Sequence, residues 1–214
     1  MSTNPCQLLA KYAALLAIGL LLAASSARAV TFNFDSDHCT GLCGPAPFGT
    51  VTLTQSGTTV DITVHLDSNF AFAKTGAADD QAFKFNGVDV SLSDIVVDPH
   101  IPGLVAATGS FNGDGTGEFD FGINCPTCGG GGSDAFQNDI VFHVLNATIA
   151  DLTQPNNLGN LFVADVINLT SGNTGPIDVH GPPVSTPDAG STALLLGLGL
   201  IGLGSVRMPL RKKA

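Results

Sequence analysis

Aromatic side chains other than phenylalanine are almost absent from this sequence. It contains 13 Phe but no Trp, and its single Tyr, Tyr12, lies in an N-terminal segment that we expect to be removed. Exposed Trp and Tyr rings combine an apolar face with a polar tip, which suits them to contact surfaces. Their absence therefore argues against a domain that recognises sugars by stacking them on aromatic rings.

Basic side chains are also scarce. The chain has 8 Lys and Arg against 18 Asp and Glu, and between residues 30 and 187 only Lys74 and Lys84 oppose 17 acids, a net charge of −15. A surface this acidic repels phosphate backbones, so we expect no nucleic-acid partner. Divalent cations are compatible with such a charge.

Groups suited to catalysis are few. Glu118 is the only Glu, and no G-x-S-x-G nucleophile motif is present. The histidines are scattered, without a pair at metal-ligand spacing: His38, His65, His100, His143 and His180. We predict a protein that is not an enzyme. A secreted hydrolase acting on matrix polymers with paired Asp residues is an alternative, because carboxylate separation depends on tertiary structure.

Residues 1–29 contain the parts of a secretory signal peptide. Lys11 precedes an apolar run over 13–24, and Ala27-Arg28-Ala29 supplies an Ala-x-Ala cleavage site. We predict a signal helix, export through the Sec translocon, and cleavage by signal peptidase after Ala29, so that the mature chain begins at Val30. An uncleaved anchor or a buried helix is the alternative, although the run is short for a membrane span.

Residues 186–214 form a second segment with three ordered parts. Thr186-Pro187-Asp188-Ala189-Gly190 favours a turn, the apolar run over 191–206 has 16 residues interrupted by glycines, and a basic stop follows: Arg207, Arg211, Lys212 and Lys213. The run is shorter than the roughly 20 residues that cross a bilayer, and its glycines weaken a helix, so we predict a marginal hydrophobic helix. The basic stop should remain cytoplasmic, with the upstream residues outside the inner membrane.

This segment resembles the bacterial PEP-CTERM sorting signal, in particular its V-P-D-S-G-S-T variant. Pro187, Asp188, Ala189 and Gly190 match the motif positions, with Thr186 where the family often has Val and Ala189 where the variant often has Ser. The resemblance implies an exosortase, a transpeptidase-like membrane enzyme, as processing partner, with a transient stage in the inner membrane. It implies a final location at the cell surface or in the extracellular matrix of a Gram-negative bacterium, and a structural or matrix-associated role with exopolysaccharide. A tail anchor that is never processed is the alternative.

Residues 30–169 have the patterns of a β-rich domain. Apolar residues alternate with polar ones over 50–54 and 59–66, and Gln55-Ser56-Gly57 between them predicts a hairpin turn. Alternation over 83–85, 88–92 and 119–123 predicts further strands. The runs 140–145 and 161–169 are apolar on both phases, which predicts central strands covered on both faces.

We therefore predict an all-β fold, an antiparallel β-sandwich or jelly-roll-like domain of about eight to ten strands, with terminal helices at both ends. Glycine and proline residues over 170–185 indicate a linker between this domain and the tail.

Four cysteines remain once Cys6 leaves with the signal peptide: Cys39, Cys43, Cys125 and Cys128. An even count in an exported domain predicts disulfides, and we predict the local pairs Cys39 with Cys43 and Cys125 with Cys128, since each lies in an adaptable Gly-rich loop. A four-cysteine zinc site and a redox-active Cys125-Pro-Thr-Cys128 motif are the alternatives.

Oxygen-bearing side chains recur over 112–120, where weak calcium candidates are Asn112, Asp114, Thr116 and Asp120. Position twelve of an EF-hand register starting at Asn112 is Ile123, so the bidentate carboxylate is missing. We predict a solvated hairpin turn here and no cofactor. A glycan- or calcium-binding module is the alternative function to a structural role.

Overall fold

The structure is a computed structural model that describes residues 28–75, 80–101, 103–181 and 183. The strands in these residues form two packed sheets. These residues belong to one compact unit, Arg28–Pro187. Their strands are β1 (Arg28–Asn33), β2 (Ser36–Asp37), β3 (Gly49–Ser56), β4 (Thr59–Leu66), β5 (Phe70–Phe72), β6 (Gln81–Phe85), β7 (Ile95–Val97), β8 (Val105–Asn112), β9 (Glu118–Asn124), β10 (Ile140–Leu145), β11 (Phe162–Asn168) and β12 (Thr174–Asp178). A 3-10 helix (Leu92–Asp94) and the helix α1 (Ile149–Leu152) complete the list.

The five-stranded sheet has the order β1-β3-β4-β10-β7, and the seven-stranded sheet has the order β2-β12-β11-β6-β9-β8, with β5 pairing beside β11. All these strand pairs are antiparallel. Aromatic rings join the sheets, since the ring of Phe142 on β10 lies 5.3 Å from that of Phe85 on β6 and Phe32 on β1 lies 5.5 Å from Phe162 on β11. The predicted antiparallel all-β sandwich is confirmed, but the described residues form twelve strands where about eight to ten were predicted. The predicted terminal helices fall outside those residues.

The predicted hairpin is β3 paired with β4, in a register that runs from Gly49 opposite Leu66 to Ser56 opposite Thr59. The turn is therefore Gly57-Thr58, with Gly57 at a φ of +61°, and it starts two residues later than predicted because Gln55 and Ser56 continue the ladder. Inward-facing apolar residues of both strands are buried and the alternate polar ones are half-exposed, as a sheet with one wet face requires.

The strand predicted over 88–92 is wrong. Asp89 adopts a φ of +56°, and the Asp94 carboxylate accepts hydrogen bonds from the backbone N–H and the hydroxyl of Ser91. These local bonds start the 3-10 helix in place of a strand, a competition to which Ser and Asp are prone. The strand follows later, as β7.

The two runs predicted to be covered on both faces behave differently. In β11, residues Phe162 to Val166 are all buried, which confirms the prediction for that part of the run, whereas Ile167 and Asn168 are half-buried and Leu169 is 50% exposed. Strand β10 is central, between β4 and β7, but Val141 and His143 are half-exposed and Leu145 is 38% exposed. Only one face of β10 is covered, so this prediction is wrong for its outer face.

The predicted linker over 170–185 contains β12, which pairs with β11 over five residues. Ile177 and Val179 are fully buried in the core. Gly175 has a φ of +156°, and a Cβ added there would lie 2.5 Å from the Cα of Cys39. The glycine that indicated a linker instead permits a close backbone approach, so the domain extends at least to Val179.

Candidate functional site

The two predicted disulfides are confirmed by the geometry of both cysteine pairs. The Cα atoms are 5.5 Å apart in Cys39–Cys43 and 5.3 Å apart in Cys125–Cys128, and all four cysteines are buried. Each sulfur is used in an S–S bond, so the alternative of a four-thiolate zinc site is not realised.

Asp37 organises the first disulfide loop. Its carboxylate accepts hydrogen bonds from the backbone N–H groups of Cys39 (2.8 Å), Cys43 (2.6 Å) and Gly44 (3.3 Å). Asp37, Cys39 and Cys43 are also the one group in the described part of the chain in which the ligand atoms of three His, Cys, Asp or Glu side chains lie within 4.8 Å of one another. Because the sulfurs are bonded to each other and the carboxylate holds three donors, the cluster is structural.

The calcium candidates lie in and around the β8–β9 hairpin turn. The Asn112 Oδ1 accepts a hydrogen bond from the backbone N–H of Asp114 (3.0 Å), and the buried Thr116 hydroxyl donates to the Gly113 carbonyl (2.7 Å). Asp120 lies exposed within β9. Two of the four candidate oxygens are therefore engaged within the predicted hairpin turn, which is only partly solvated because Thr116 is buried.

Calcium is expected to leave thermal unfolding unchanged, because Asn112 and Thr116 already hold this turn without a cation. If calcium bound this turn, a calcium concentration a hundredfold above the dissociation constant would add about 2.7 kcal/mol to the free energy of unfolding. Such a gain would raise the midpoint of thermal unfolding measurably. The measurement compares unfolding midpoints in excess calcium and in chelator, with Asp114→Asn as the control. A calcium-dependent rise that Asp114→Asn abolishes would overturn the expectation.

A polar cleft of about 280 Å³ opens where β2, β12 and the β8–β9 turn meet. Asp178 is one of the lining residues; it is 1% exposed, and its Oδ1 lies 3.2 Å from the Nε2 of His38. That same nitrogen lies 3.1 Å from the Ser36 hydroxyl. The remaining lining residues are Gly115, Leu158, Asn160 and His180, with the His180 Nδ1 at 3.0 Å from the Asn160 Oδ1.

Ser36, His38 and Asp178 have the residue types of a hydrolytic triad but not its arrangement. In a triad the serine contacts one ring nitrogen and the aspartate the other, so that the base is oriented while it takes the proton. Here both contacts are made to Nε2. The cleft therefore contains polar binding groups without an activated serine. No local pattern in the sequence indicates this cleft, because residues so far apart in sequence meet only through the pairing of β2 with β12.

Three histidines predicted to be scattered each lie beside an aspartate: His65 and His143 on the outer face of the five-stranded sheet, and His100 in the loop that follows β7. His65 Nδ1 is 2.7 Å from Asp139, and His143 Nδ1 is 2.7 Å from Asp61, its cross-strand neighbour. The third pair is His100 with Asp98, at 3.0 Å. All six side chains are partly exposed, so these three His–Asp pairs are solvated.

Two aspartates have lowered pKa values. The backbone N–H of His100, and then its side chain, hold the pKa of Asp98 below its ordinary value of 3.8. The hydroxyl of Ser91, with the side chain of Asn146, lowers the pKa of Asp94 in the same direction. Hydrogen bonds to the ionised form are the main cause in both cases.

Asp98→Asn is expected to lower the unfolding midpoint near neutral pH, with a difference from the unchanged protein that shrinks in acid. The folded-state pKa is lowered, so the stabilisation is present above 3.8 and is lost as the pH falls below that value. Thermal unfolding at a series of pH values measures it, with exposed Asp114→Asn as the control. A difference that stays constant through the acid range would contradict the prediction.

Comparison with protein-family models gives no match, and neither curated proteins nor solved structures match the chain. In the described residues, no helix is both long and apolar enough for a membrane span. The predicted sorting motif, the basic stop and Ala27 of the cleavage site lie outside those residues, whereas Ala29 and Val30 are in β1.

Proposed function

We propose that this chain is an exported, non-enzymatic β-sandwich protein of the cell surface or extracellular matrix. Export uses the N-terminal signal, and an exosortase-type enzyme processes the tail. The observation that carries the proposal is a disulfide-closed acidic domain between two terminal segments with the residue pattern of sorting signals. Disulfides persist in oxidising compartments outside the cytoplasm, which supports export.

The strand boundaries are compatible with both processing events. Cleavage after Ala29 removes only Arg28 and Ala29 from β1, and these pair with Gln55 and Thr54 at the exposed end of β3. Removal of the chain from Pro187 onward leaves all twelve described strands intact, since β12 ends at Asp178. Processing would therefore remove two exposed residues from the start of β1 and leave the rest of the folded domain in place.

The placement of the aromatic residues favours a structural role over sugar recognition by stacking. Eleven of the 13 Phe are buried, and Phe111 and Phe136 are half-buried. The described residues thus offer no exposed aromatic platform. We therefore propose that this acidic sandwich has a structural role in association with an exopolysaccharide matrix.

Terminal sequencing and intact-mass measurement of the protein from cell-surface and membrane fractions test this proposal. We expect Val30 as the first residue and a mass that lacks residues 193–214 in the surface fraction. The matched control carries Pro187→Ala with Asp188→Ala and should accumulate with its tail in the membrane fraction. A surface form that retains residues 193–214 would contradict processing, and an N-terminal Met1 in the cytoplasm would contradict export.

A further inference from the structure

Lys84 and Asp165 form a completely enclosed contact in the middle of the seven-stranded sheet. The Lys84 Nζ lies 2.7 Å from the Asp165 Oδ2, and both side chains are 0% exposed. Lys84 is on β6 and pairs in register with Val163 on β11, two residues before Asp165. The two side chains therefore project from the same face of adjacent strands, although they are 81 residues apart in sequence.

The complete burial of Lys84 is unusual in a domain that has so few basic residues. Lys84 is one of only two basic residues between Val30 and Pro187, and the other, Lys74, is partly exposed and pairs with Asp80. Lysine is among the residues least often fully buried, and two charges withdrawn from water lose their hydration. A reaction that removes both charges would relieve this cost.

We propose that Lys84 and Asp165 condense into an intramolecular isopeptide bond. One proton of the Lys84 ammonium passes to the Asp165 carboxylate, which leaves a neutral amine beside a carboxylic acid. The Nζ then attacks Cγ, a C–N bond forms, the C–O bond breaks, and the hydroxyl leaves as water with a second proton from Nζ. No oxidant, reductant or activated donor is required.

The packing supplies the conditions that this condensation needs. Adjacent strands hold the nucleophile within hydrogen-bonding distance of the carboxyl group, which replaces a bimolecular encounter by a positioned reaction. The buried site excludes bulk water, so the reverse hydrolysis lacks its second reactant. The Gln81 carbonyl at 3.4 Å from Nζ further restrains the amine.

The bond would join β6 covalently to β11 at the centre of the sheet. It would close a loop far longer than those of the two local disulfides, and a longer closed loop removes more freedom from the unfolded chain. Unlike a disulfide, it would survive reduction. The bond would form whether or not the chain is exported or its tail is processed.

Mass spectrometry of the purified, reduced and denatured protein tests the proposal directly. We expect a mass lower by one water molecule than the sequence requires, and trypsin that cuts after Lys74 but not after Lys84, because an amidated lysine is no longer a substrate. Cleavage after Lys74 in the same digest is the internal control. Fragmentation should locate the missing water in a branched peptide that contains both Lys84 and Asp165.

Asp165→Ala provides the matched variant, with full mass and restored cleavage after Lys84 as the expected results. Both readouts use denatured protein, so they hold even where the variant folds poorly. Full mass with complete cleavage after Lys84 in the unsubstituted protein would overturn the proposal. Loss of water with normal cleavage after Lys84 would overturn it as well, since it would locate the dehydration elsewhere, such as at Asp114-Gly115.

Discussion

Lys84→Ala is expected to lower the free energy of unfolding by at least about 3–5 kcal/mol, the cost of breaking a buried pair, and loss of the proposed cross-link would add to it. The substitution leaves the Asp165 carboxylate in a fully buried position without the Lys84 ammonium 2.7 Å away, and it opens space beside β11. Removal of one partner from a buried pair is costly because the remaining charge has no water to solvate it. Urea denaturation of the purified protein measures the change.

Lys74→Ala is the matched control, since Lys74 is the other lysine of the domain and also pairs with an aspartate. Its pair with Asp80 is partly exposed, so we expect a loss below about 1 kcal/mol. Equal losses for the two variants would contradict the expectation that the buried Lys84–Asp165 pair contributes more to stability than the partly exposed Lys74–Asp80 pair.

The double variant Lys84→Met with Asp165→Leu separates an ion pair from a covalent bond. Replacement of both partners of a buried ion pair by apolar residues is often neutral or stabilising. Loss of a cross-link over a loop of this length is expected to cost about 4–5 kcal/mol, by analogy with disulfides in the chain-entropy model. A double variant as stable as the unsubstituted protein would therefore count against the isopeptide bond.

Phe83→Ala is expected to lower the free energy of unfolding by about 3–5 kcal/mol, because it leaves a cavity at the contact between the sheets. Phe83 is fully buried, and its ring centroid lies 6.0 Å from that of Phe142 on the opposite sheet and 5.9 Å from that of Phe162. Chemical denaturation measures the loss.

Phe111→Ala is the control for the aromatic core, since Phe111 is half-buried on the edge strand β8. We expect a clearly smaller loss, because water already reaches part of that ring. If Phe111→Ala proves as destabilising as Phe83→Ala, the packing between the two sheets is not what holds the domain together.

Local patterns were sufficient for part of the fold. The alternation over 50–66 predicts β3 and β4 because a strand with one wet face repeats every two residues. The close spacing of Cys39 with Cys43 and of Cys125 with Cys128 favours local disulfides, since each pair can meet within one loop. Both signals act between residues near in sequence.

Other local patterns were misleading because a distant contact changes their meaning. Gly175 predicts a linker by composition, but in the fold it lies against Cys39, where a side chain would collide with the backbone. The alternation over 88–92 predicts a strand, but hydrogen bonds between Ser91 and Asp94 favour a 3-10 helix. Neither outcome is visible in the periodicity of hydrophobic residues.

The sequence by itself determined the acidic charge, the all-β class, the disulfide pairs and the two terminal segments that we interpret as sorting signals. Only the tertiary structure decided that Lys84 meets Asp165, that His38 meets Asp178, and that β12 completes the domain. The physical reason is strand pairing. Antiparallel strands that are distant in the chain bring these side chains within hydrogen-bonding distance. The local alternation of apolar and polar residues does not specify which distant strands pair or in which register.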